Sequence, residues 1–265
     1  MLVYIFQRLL TALVTLFGMS VLIFVLLRLV PGDIVDIIFS SAGFVNPAAK
    51  VELARELGVD RPIAVQYIGW LKDVAKGDLG KSYRYDVPAW QIVKPRIPVT
   101  IELAVMAIVI AVVLGVFAGV VSAARRDSAL DYLLSLLSLA GLSMPSFWLG
   151  MMIILILVTS LGWIPALVYV SPREDLRAHL LQFILPALAV GYRGSALIMR
   201  ITRSSMLEVL GEDYIRTARA KGQREWPIIF RHALSNAMLP IVTVIGFEFA
   251  FMIGGLVVTE TVFNL

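Results

Sequence analysis

The chain has 265 residues, 59% of them hydrophobic and only 16% charged, with a mean hydropathy of +0.87. A soluble domain is about half apolar and about a quarter charged, so this composition excludes a single soluble core and points to several membrane spans. The net charge of +4 comes without a basic stripe interleaved with aromatics, which argues against nucleic acid, and the lack of cysteine excludes disulfides, thiolate metal sites and a cysteine nucleophile.

The first apolar run, Leu9–Val30, is too long for a signal-peptide core. It is followed by "RLVPGD" rather than a small-residue cleavage site, so residues 1–30 are expected to form a retained N-terminal transmembrane helix. Residues 31–98 hold six prolines, many charges and amphipathic pieces such as "AAKVELARELG", and are expected to form a small folded external region. Within it, "AKGDLGKS" (Ala75–Ser82) ends like a phosphate-binding P-loop. Ala75 stands where that motif needs its first glycine. The preceding "YIGWLKDVAKG" has helical spacing, with Tyr67, Leu71 and Val74 on one face, rather than the buried strand a P-loop requires. The stretch is expected to be a turn, with Gly77 and Gly80 at positive φ.

Residues 99–265 read as the core transmembrane domain. Its apolar stretches are Val99–Ala124, Leu130–Leu161, Leu180–Ile201 and Ala233–Val258, which with the first run make five expected spans. Pro145, Pro186 and Pro240 interrupt three of them, as bundled membrane helices tolerate. Gly115 and Gly119 form a G-x-x-x-G that favours close helix packing. Arg8, Arg125, Arg126, Arg203, Arg216, Arg219, Lys221, Arg224 and Arg231 fall on one side, which predicts a cytoplasmic N-terminus. Arg173 and Arg177, on the other side, are offset by Glu174 and Asp175. The fold class expected is an all-α polytopic membrane helix bundle.

The most informative stretch is "GEDYIRTARAKGQREWPIIFRHALSNAMLP", Gly211–Pro240. Glu212 and Asp213 favour a helix N-terminus. Tyr214, Ala218 and Lys221 then share a face, Gly222 ends the helix, and a second helix starts near Glu225 and Trp226 with Pro227 in its first turn. The result is a compact knob. Its small residues Thr217, Ala218 and Ala220 let it seat in a partner groove, and Arg216, Arg219 and Lys221 can pair with acidic groups there. On the residues alone, a basic loop resting on anionic lipid is an equal alternative. Glu248, deep in the last span, is either a pathway carboxylate for a cationic group or an interhelical hydrogen-bonding residue. Arg28, Arg193 and Arg200 are expected to snorkel. His179 and His232 are expected at surfaces or interfaces, each alone, so neither makes a metal site. No H-E-x-x-H, G-x-S-x-G or intramembrane Asp pair appears, and no catalytic residue is expected. A passive channel-forming subunit accounts for the spans but not for the knob.

The knob resembles the "EAA" coupling loop of ABC importer permeases, in the binding-protein-dependent dipeptide/oligopeptide/nickel class. The likeness extends over "LLRLVPGD", "GDLGKS", "LSMPSFWLG", "LGWIPA", "YIRTARAKG…RHALSNAMLP" and "VVTETVFNL". It implies a permease without an ATP site or other cofactor of its own, in a bacterial or archaeal inner membrane. The implied partners are a second homologous permease, two cytoplasmic ATPases carrying ATP and Mg, an extracytoplasmic substrate-binding protein and membrane lipid. It implies a coupling loop over about 204–232, with Tyr214, Arg216, Thr217, Ala218, Arg219, Ala220, Lys221 and Gly222 at its contact. Ala218 and Gly222 match the motif's alanine and glycine, whereas Arg216 and Thr217 stand where the general pattern has glutamate and alanine. The class carries dipeptides and oligopeptides, and also nickel chelates and some oligosaccharides. The family resembled continues beyond "ETVFN" with a Pro-Gly-Leu-Gly turn and a sixth span, which is expected but absent from this chain.

Overall fold

A computed structural model describes residues 1–29, 35, 47–82, 85–162 and 169–265. The "VPGD" part of the first motif and the "WIPA" part of "LGWIPA" lie outside these. The chain divides into two units, Met1–Lys94 and Pro95–Leu265.

In the first unit, α1 (Leu2–Leu29) is a continuous apolar helix, and α2 (Pro47–Glu56) and α3 (Ile63–Ala75) follow. Pro62, whose fixed φ suits a helix start, precedes α3. Aromatic side chains join α3 to α1. Tyr67 lies edge-on to Phe17 and Phe24, at 6.2 and 5.3 Å between ring centroids, and Trp70 sits 5.8 Å from Phe24. Ser20 Oγ and Tyr67 Oη share a hydrogen bond of 2.8 Å.

The P-loop-like stretch is a turn and a hairpin edge. Gly77 and Gly80 have φ of 85° and 82°, which glycine alone adopts without strain. Gly80 N donates to Asp78 Oδ1 at 2.8 Å. Lys81 and Ser82 form β1, which pairs antiparallel with β2 (Val87–Pro88), and Lys81 contacts Asp86 at 2.5 Å. The lysine and serine of a P-loop open a helix; here they form a strand.

The second unit is built around α7 (Leu176–Leu210), the most buried of the long helices. α4 (Ala89–Ala124) crosses it through small residues. A Cβ on Gly115 would come within 2.8 Å of Ile198 Cβ and Ser195 O, and one on Gly119 within 2.5 Å of Thr202 Cβ. From the other side, a Cβ on Gly191 would meet Ala107 O at 2.8 Å. In lipid, helices gain by dispersion at close approach rather than by the hydrophobic effect, so these glycines set the crossing. Leu103, Ala104, Ala107 and Ala111 of α4 pack there with Phe183, Ala187, Val190 and Ile198 of α7.

The third apolar stretch does not form one helix. It breaks into α5 (Ala129–Ser143) and α6 (Ser146–Leu161), bent by 105°. Met144, just before Pro145, is extended at φ −100°, ψ 129°, because a residue preceding proline is driven out of the helical region. Pro186 and Pro240 instead remain inside α7 and α10 (Ser235–Gly255). Among the described residues, four helices are long and apolar enough to cross a membrane, or five spans if the bent pair counts as one. Between α7 and α10 lie α8 (Asp213–Ala220), α9 (Glu225–Pro227) and a π-helical turn (Ile228–Leu234); α11 (Val257–Phe263) closes the described chain.

Candidate functional site

α8 is a two-turn helix fastened by one apolar residue. Ile215 is fully buried among Val120, Met206, Ile228, Ala233, Ala237 and Ile241. Ala218, one turn on, is half-buried against the same cluster, so it belongs to the anchoring side as much as to the outer face. Tyr214 is exposed, and its hydroxyl accepts a hydrogen bond from Asn236 Nδ2 at 2.8 Å, which ties α8 to α10. Thr217 Oγ1 donates to Asp213 O at 2.9 Å.

The helix stops where the sequence places its glycine. Lys221 caps it, Gly222 turns at φ 77°, and α9 starts at Glu225. Arg219 closes the turn, donating from Nε to Glu225 Oε1 at 2.8 Å and from Nη2 to Oε2 at 3.2 Å. Arg216 pairs with Asp213 at 3.0 Å. Two of the three basic residues assigned to a partner's acidic groups therefore already have intramolecular partners. Lys221 makes no ion pair among the described residues. Arg216, Thr217, Arg219, Ala220, Lys221 and Gly222 form the exposed face, and Trp226, stacked on Phe230 at 4.7 Å, stands beside it.

The same unit holds a buried ion pair that sequence reasoning missed. Asp131, at the start of α5, is 1% exposed; it accepts from Ser122 Oγ, from Asp127 N at 3.0 Å and from Nε and Nη2 of Arg203. Arg203 is thus a structural partner as well as a basic flank. The readable signal was Ser128-x-x-Asp131, the spacing of a helix-capping box; Ser128 indeed caps α5, accepting from Asp131 N at 3.3 Å.

Glu248 is 9% exposed and lies against α7, its Oε2 buried without a hydrogen-bond partner among the described residues and 3.5 Å from where a Cβ on Gly194 would sit. The Arg193 guanidinium lies over the Phe251 ring at 5.0 Å, one turn from Glu248. His179 is not at a surface. It is 1% exposed, within 2.6 Å of Glu102 Oε1 through Nε2 and 2.8 Å of Val170 O through Nδ1, so it is a buried clasp between α4, α7 and the preceding loop. Glu260 of α11 is a further buried carboxyl, with Oε1 unpartnered among the described residues. No group of three or more metal-ligating side chains occurs among the described residues.

This arrangement offers two things: a rigidly backed surface knob and an intramembrane acid. Residues 111–265 match the model of the binding-protein-dependent transport system inner membrane component, and residues 1–104 match its N-terminal companion. The whole chain aligns at 38% identity with 85% of a protein from Alkalihalophilus pseudofirmus named dipeptide transport system permease protein DppB. It aligns at 39% with 84% of the protein of that name from Escherichia coli strain K12. A third relative, from Pseudomonas aeruginosa, is named di/tripeptide transport system permease protein DppB; it is 38% identical, with the whole chain covering 84% of it. This kinship does not favour a passive pore. With four or five apolar spans among the described residues and a matching model over most of its length, the chain belongs to the binding-protein-dependent ABC transport permeases, a family of multi-pass inner membrane components.

Proposed function

We propose that this chain forms half of the translocation path of an ATP-driven importer of dipeptides or oligopeptides. A second, homologous permease supplies the other half, and a substrate-binding protein delivers the cargo outside. Two cytoplasmic ATPases bind ATP and Mg, so ATP hydrolysis belongs to the partners and this chain holds no cofactor. The N-terminus is cytoplasmic, which places α8 on the ATPase side. The peptide assignment is supported by the names of the full-length relatives.

One observation carries the mechanism: α8 is exposed on one face and locked into the bundle by Ile215 on the other. A knob so held passes a push from an ATPase groove to α4, α7 and α10 together rather than flexing away. Arg216, Thr217, Ala220, Lys221 and Gly222 present the contact, Tyr214 and Ala218 support it, and Arg219 holds the turn through Glu225. Glu248 is the proposed pathway residue, its unpartnered oxygen available to a cationic group such as a peptide amino terminus once the helices part.

The test is reconstitution of the full importer in vesicles with the double variant Arg216→Glu/Lys221→Glu. The expected outcome is ATPase subunits lost from the purified complex and dipeptide uptake reduced at least about ten-fold, with the permease still in the membrane. Retained ATPases and normal uptake would overturn the assignment.

A further inference from the structure

A groove of about 540 Å³ lies between α1 and α3. One wall is a stripe of α1 that includes Leu16, Ile23 and Leu27; Trp70 of α3 stands across from it, and Arg28 lies at the end. The groove belongs to the first unit and takes no part in the coupling knob.

Its depth follows from the contacts that hold α3. Tyr67 meets α1 at Phe17, Ser20 and Phe24, well before the helix ends at Leu29. At about 1.5 Å per residue, Ser20 lies about 13 Å from that end, and one leaflet of hydrocarbon is about 15 Å thick. α1 is a candidate membrane span with a mean hydropathy of 2.6. α3 is therefore clamped alongside the acyl-chain depth of α1, and the groove between them opens among lipid tails.

Its chemistry divides along its length. The walls are alkyl and aromatic, and the Ser20 hydroxyl is already bonded to Tyr67. Arg28 is the charged group, its guanidinium held 5.0 Å over the Phe24 ring, and among the described residues no carboxylate lies within ion-pair distance of it. A planar cation positioned this way offers paired N–H donors to phosphate oxygens. An alkyl channel ending in such a cation at a helix end complements a phospholipid. Free phosphate would satisfy only the guanidinium and leave the channel unfilled.

We propose that α1 and α3 form a binding site for one anionic phospholipid, with an acyl chain between Leu16, Ile23, Leu27 and Trp70 and its phosphate at Arg28. The bound lipid fills the space between a span and the short helix beside it, and fixes α3 against the membrane.

The experiment is native mass spectrometry of the full chain, delipidated in detergent and titrated with phosphatidylglycerol. One lipid retained per chain is expected. Arg28→Gln should weaken retention about ten-fold, the worth of a charge-assisted hydrogen bond, and Arg28→Lys should restore part of it. Ile23→Trp, which fills the groove, should weaken retention similarly, and Leu10→Trp, on exposed α1 surface outside the groove, should not. Equal retention by Arg28→Gln and the unaltered chain would overturn the proposal, as would displacement of the lipid by inorganic phosphate. A second readout avoids the groove variants: with Trp90, Trp148, Trp163 and Trp226 changed to Phe, brominated phosphatidylglycerol should quench Trp70 saturably, at one lipid per chain. Quenching that only tracks bulk lipid would refute a site.

Discussion

Arg203 grips Asp131 with both ends of its guanidinium fork, Nε to Oδ1 at 2.8 Å and Nη2 to Oδ2 at 2.7 Å. The pair joins the C-terminal part of α7, the unit's central helix, to the start of α5. Ser122 of α4 donates to the same carboxylate, so three helices meet on one buried charge.

Asp131→Asn is expected to destabilise the chain by about 3 kcal/mol. That is the low end for breaking a buried pair, because Arg203 keeps 30% of its side chain exposed and is partly solvated once abandoned. Thermal unfolding in detergent measures it. The double variant Asp131→Leu/Arg203→Met should recover much of the loss, since it leaves no uncompensated charge. A double variant as unstable as the single would mean that the pair is not the cause.

Gly119→Ala is expected to cost about 1–3 kcal/mol, the usual penalty for overpacking, because the new methyl group would sit 2.5 Å from Thr202 Cβ and 2.8 Å from Met199 O. Gly246→Ala in α10 meets nothing within 4 Å, and should be neutral or slightly stabilising, since alanine favours a helix by about 1 kcal/mol. Comparing the two by thermal unfolding separates helix contact from helix propensity.

Gly222 has φ 77° and open space around it, so a side chain there is opposed by backbone strain alone. Gly222→Ala should strain the turn by about 1–2 kcal/mol and lower peptide-stimulated ATP hydrolysis by the assembled importer, while Gly222→Asn, which tolerates this conformation better, should retain more activity. Equal hydrolysis in all three would show that the turn does not shape the contact.

Glu248→Gln should reduce uptake of cationic peptides more than of neutral ones, measured side by side in vesicles. An equal loss for both, or none, would return Glu248 to a purely interhelical role.

The helices and the knob were legible because their signals are local. Long apolar runs, Gly222 after a helical pattern and Pro227 at a helix start each constrain the backbone within a few residues: α8 ends just before Gly222 and α9 starts at Glu225, as those residues say, although the chain passes into a π-helical turn straight after Pro227. Pro145 was visible too, but reading Leu130–Leu161 as one span treated it as a tolerated kink. Pro186 and Pro240 are tolerated inside their helices; at Met144–Pro145 the chain turns by 105° instead. The same residue type thus has two outcomes, which the local sequence does not distinguish.

Pairings across the bundle were not legible. His179 seemed isolated because Glu102 is 77 positions away, and Arg203 seemed a topological flank because Asp131 is 72 positions away. Composition, hydropathy and short motifs determined that this chain is a helical membrane protein with a glycine-ended knob, since each acts through neighbours in sequence. The tertiary structure alone decided which glycines touch α7, which charges are buried together and how Ile215 anchors the knob, because a side chain's environment in a helix bundle is set by helices that the chain reaches only after long excursions.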